Sequence, residues 1–113
     1  MSKFLISFAE GAMKIPDEDV PAVTGAAHAI VEEAKQAGTW VFGGGLLHHE
    51  EAYTVGPDGV VADGAHPDRR GHLAGLAVID VDSMEDALEW AARISAACRC
   101  HQEVREFLPE RDE

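Results

Sequence analysis

The chain has 113 residues, 46% of them hydrophobic and 27% charged, a length that suits one domain and a balance that excludes a disordered segment. Its 21 acidic and 9 basic residues give a formal net charge of -12, a field that repels phosphate backbones and anionic bilayers and argues against nucleic-acid or membrane partners. The amino-terminal apolar stretch is too short for a signal sequence or a membrane span, and Cys98 and Cys100 are too close to close a useful disulfide loop, so a cytoplasmic chain with reduced thiols is expected.

Phe4-Leu5-Ile6-Ser7-Phe8-Ala9 is short, rich in β-favouring residues and bounded by Glu10-Gly11, which predicts a buried first strand. After a polar, proline-bearing stretch over 15–21, Val23, Ala27, Ile30, Val31 and Ala34 recur at helical spacing. Gly38 stands where a left-handed cap belongs, so a first helix is expected over 19–37. Thr39-Trp40-Val41-Phe42 returns to strand character and runs into Gly43-Gly44-Gly45, where the chain can bend or admit another group to its backbone.

Tyr53-Thr54-Val55 and Val60-Val61-Ala62 flank the turn signal Gly56-Pro57-Asp58-Gly59, the pattern of an antiparallel hairpin. Residues 64–72 form a polar loop with Pro67 and Arg69-Arg70, and residues 73–81 are a near-continuous apolar strand. Ser83 with Asp86 makes a capping-box variant, and Met84, Leu88, Ala91, Ala92 and Ser95 then share one face of a second helix over 84–97. Val104 and Phe107 lie in a last short strand, which leaves one domain over 1–108 and an acidic tail over 109–113.

The order is β-α-β, hairpin, β-α-β, the plan of an α+β split β-α-β sandwich with an antiparallel sheet. Two helices can cover one face of such a sheet, so a homodimer packed through the other face is expected.

Several blocks carry a family resemblance: Lys3-Phe4-Leu5-Ile6, His28, Ala37-Gly38, Gly43-Gly44-Gly45-Leu46, and Val61-Ala62-Asp63-Gly64. They continue with Val78-Ile79-Asp80-Val81-Asp82-Ser83 and, most specifically, Glu85-Asp86-Ala87-Leu88-Glu89-Trp90-Ala91-Ala92-Arg93-Ile94. Along nearly its whole length the chain resembles the YCII-related, or DGPF-domain, family. The resemblance implies a ferredoxin-like fold of the dimeric α+β barrel type and a small pocket near a histidine and an aspartate, here His28 and Asp63. It also implies action on small molecules, such as removal of chloride from a chlorinated aromatic diol. After Asp63-Gly64 this chain carries Ala65-His66 where Pro-Phe is usual.

Within that frame His28 and Asp63 are the candidate catalytic pair, a carboxylate at the hairpin's end orienting an imidazole for elimination, dehydrochlorination or isomerisation. Gly43, Gly44, Gly45 and Leu46 are candidate substrate contacts through exposed backbone N–H groups, and His66 stands at the pocket mouth. The run His48-His49-Glu50-Glu51 invites a metal reading, but adjacent residues of an extended strand point to opposite faces. A set of His48, His66 and His72 is a lesser option, and no metal or other cofactor is expected. Arg69-Arg70 could clamp an anion, and Cys98-Arg99-Cys100-His101 reads as helix-end packing. The alternative to a small-molecule enzyme is a non-catalytic metabolite-binding or accessory dimer module.

Overall fold

A computed structural model describes residues 2–67 and 71–109. Arg69, Arg70 and the tail beyond 109 lie outside the described residues.

Four strands form the main sheet: β1 (Ser2–Ala9), β2 (Trp40–Gly45), β5 (Leu73–Val81) and β6 (Glu103–Glu106), in the order β2-β5-β1-β6. Every neighbouring pair is antiparallel. Helices α1 (Val20–Gln36) and α2 (Met84–Cys98) connect β1 to β2 and β5 to β6, while β3 (Tyr53–Val55) and β4 (Val61–Asp63) form a separate hairpin. This is a ferredoxin-like α+β fold with a hairpin inserted between its second and third core strands.

Alternation along the central strands sets the core. Phe4 and Ile6 of β1 pair with Ile79 and Ala77 of β5, so all four face the same side. There they meet Ala87 and Ala91 of α2 in a buried cluster. The expected face of α2 is corrected by about one residue: Met84 and Leu88 are exposed, and Ala87, Ala91, Ile94 and Cys98 turn inward. Alanines at the contact let the helix axis come close to the sheet, which larger side chains would prevent.

Helix ends follow the sequence signals. The Ser83 hydroxyl accepts a hydrogen bond from the Asp86 amide at 3.1 Å, and Gly38 takes the left-handed conformation, φ +76, just beyond α1. Arg99 ends α2 at φ 57 and reaches Asp19 at 2.9 Å, tying that end to the start of α1. Among the described residues, no helix is long and apolar enough to cross a membrane.

Candidate functional site

β1 and β5 are neighbours, so the residue that leaves β1 and the residue that enters β5 meet at one end of the sheet. The Glu10 amide donates to the His72 carbonyl at 2.9 Å, and the Leu46 amide donates to the Ala74 carbonyl at 2.8 Å, which carries β2 to the same end. The chain then forms a 3-10 turn, His49–Glu51, capped at its start by His48. The extended-strand expectation for this run is therefore corrected. The turn brings His48 and His49 to the same side, where both reach Glu10.

Glu10 is the hub. Its Oε1 lies 2.6 Å from His49 Nδ1, its Oε2 accepts from the His49 amide at 2.8 Å, and His48 Nε2 approaches Oε1 at 3.5 Å. The Glu10 side chain is 19% exposed, and donated hydrogen bonds favour its charged form. The His49 ring hydrogen bond, ahead of an opposing desolvation effect, holds the Glu10 carboxyl below the usual carboxylate range. The His49 ring stacks on His72 with centroids 4.0 Å apart and planes 9° from parallel, and His48 sits tilted beside it at 4.2 Å.

With Glu10 ionised, the hydrogen bond places the His49 proton on Nδ1 and leaves Nε2 as the lone-pair nitrogen. That is a carboxylate-oriented imidazole. His48 Nδ1 accepts from the Glu50 amide at 3.3 Å, so its neutral ring carries the proton on Nε2, the nitrogen facing Glu10. The donor atoms of Glu10, His48 and His49 all lie within 4.8 Å of one another. The 2.6 Å spacing, however, is that of a hydrogen bond, shorter than the roughly 3.4 Å that two ligands of a tetrahedral zinc ion would keep.

The cluster opens on a cavity of about 640 Å³ bordered by His48, His49, His66 and His72, with Leu46, Leu47 and Tyr53 among its apolar walls. The hairpin supplies one side. Its base is held by Gly64 N–H donating to the Ala52 carbonyl at 2.7 Å and by the Thr54 hydroxyl donating to the Gly64 carbonyl at 2.8 Å.

The expected catalytic pair is not assembled within the chain. His28 is exposed on α1, and Asp63 is exposed at the end of β4, in register with Tyr53. The two share no hydrogen bond or ion pair, and neither borders the histidine cavity. Leu46 and His66 do border it. Gly44 and Gly45 line a different, apolar cavity on the helix side of the sheet, and Gly43 lies beneath the Trp40 ring. Sequence pattern does not link Glu10 to His49, which lies 39 positions away. The signal that links them is topological: strands one and five are neighbours in this fold, which places Glu10 beside His72.

Against known families, the model described as a YCII-related domain matches residues 4–110. No curated protein matches.

Proposed function

Because the chain belongs to the YCII-related domain family, we propose that it acts on a small molecule by proton transfer, with His49 as general base or acid and Glu10 as its orienting carboxylate. The carrying observation is the two-point grip of Glu10 on His49: one carboxylate oxygen on the ring nitrogen at 2.6 Å, the other on the backbone amide at 2.8 Å. Such a grip fixes both ring orientation and tautomer, as proton abstraction from carbon requires. The reaction type is elimination, dehydrochlorination or isomerisation, in the cavity that His66 and His72 also border. The working unit is a homodimer formed through the uncovered face of the sheet.

The test is a panel of chlorinated aromatic diols and small β-dicarbonyl acids in heavy water, followed by NMR for deuterium uptake and by chloride release. Wild type turns over at least one compound, and His49→Gln slows that reaction by about 10²–10⁴-fold, the usual contribution of a positioned acid or base. Glu10→Gln causes a smaller loss. His28→Gln has no effect; a loss confined to His28→Gln would transfer the role to the helix histidine. Saturable binding of a panel member without turnover would favour the metabolite-binding or accessory module instead.

A further inference from the structure

The helix-facing side of the sheet changes character along its length. The row Phe4, Ile79 and Trp40 is filled with large side chains, the next row is Ile6, Ala77 and Gly43, and the one beyond is Phe8, Gly75 and Gly45. Small residues thus replace large ones towards one end. Two of the glycines lie under rings: a Cβ on Gly43 would meet the Trp40 ring at 2.6 Å, and a Cβ on Gly75 would meet the Phe8 ring at 2.8 Å. Gly45 is different, since the nearest atom to a Cβ there is the Ala74 carbonyl oxygen at 3.9 Å.

Above this thinned patch, α1 presents Ala27, Ile30 and Val31, all short of full burial. The result is a cavity of about 200 Å³ between the two helices and the sheet, also walled by Ile94 and Ala97. The cavity is open to solvent along one side, and its size exceeds the roughly 150 Å³ of an apolar void that accepts benzene. Gln102 brings the one side-chain amide to this wall, and its Nε2 donates to Cys100 Sγ at 3.4 Å. Burial pushes the Cys98 thiol up from its ordinary pKa, so the wall there is a neutral thiol.

We propose that this cavity is a binding site for a small apolar molecule, a single aromatic ring or a compact hydrocarbon with at most one polar substituent. It shares no lining residue with the histidine cavity, so the proposal stands independently of the proton-transfer reading.

Toluene and indole are the probes, titrated into the full chain and followed by amide NMR and thermal melting. Saturable shifts centred on Ala27, Ile30 and Ala97 and a rise in Tm are expected. Gly45→Leu puts a side chain into the cavity at a position with ordinary φ and no close neighbour; it stays folded and binds both probes at least tenfold more weakly. Ala27→Leu, which closes the cavity from the helix side, gives the same loss and serves if the glycine variant does not fold. Absence of saturable shifts with both probes, or unchanged affinity in a folded cavity-filled variant, overturns the proposal.

Discussion

Glu10 sits where strand β1 ends, with His48, His49 and the stacked His72 as the imidazoles about it. Its folded pKa is depressed below the ordinary value of 4.5, chiefly by the His49 hydrogen bond. The sign follows: a depressed carboxylate contributes stability that is present above its unfolded pKa and is lost as pH falls through the folded one. Wild type should therefore melt above Glu10→Gln at neutral pH. That gap should narrow as pH falls below about 4.5, as circular dichroism melts in matched buffers would record. A gap independent of pH down to pH ~3 would mean that Glu10 stabilises by packing alone. Local pattern did not reveal this cluster. An extended strand would put His48 and His49 on opposite faces, whereas the 3-10 turn at His49–Glu51 rotates them onto one side. Side-chain direction is set by backbone conformation, and a short turn amid strand-like residues has too weak a signature to read.

At the scale of elements, the glycine run of β2 is not uniform. Gly43 faces the helices beneath Trp40 and close to the Leu76 carbonyl, at 2.8 Å from a hypothetical Cβ, while Gly44 has nothing within 4 Å. Gly43→Ala should cost about 1–3 kcal/mol, as overpacking does. Gly44→Ala should stay within about 0.5 kcal/mol of wild type. Urea titrations compare the two directly, and equal costs would remove the close-approach explanation. Ser83→Ala should cost about 1 kcal/mol through loss of the cap on Asp86. Those elements were legible because each carries local punctuation: Ser83 before α2, Gly38 after α1, the Gly56 to Gly59 turn between β3 and β4. The rotational phase of α2 was not. Leu88 and Met84 outrank alanine in hydrophobicity, yet the inward stripe is Ala87, Ala91 and Ile94, because distance to the sheet selects small side chains that a hydropathy pattern undervalues.

The whole molecule is a slab, with principal extents of 49, 42 and 19 Å and a radius of gyration of 15.9 Å, against roughly 13 Å for a compact chain of this length. One broad side carries the helices. The other presents Phe42, Val78 and Leu5, which the strand register aligns in one row, and Phe42 is 66% exposed. The hairpin adds Tyr53, Val55 and Val61, each at least 60% exposed, so apolar surface extends beyond the sheet onto an arm. Exposed apolar side chains of this size on a chain of net charge -12 call for a specific cover, because charge repulsion disfavours indiscriminate association. A second copy laid sheet to sheet would supply that cover through a self-complementary, two-fold contact. Sedimentation equilibrium at micromolar concentration should return twice the chain mass. Val78→Glu buries a charge at the centre of that contact and should weaken the dimer at least tenfold while leaving the helix-side core, and hence the circular dichroism spectrum, unchanged. A wild-type monomer, or a Val78→Glu protein that still dimerises, would place the cover elsewhere and leave the hairpin arm as the surface to examine.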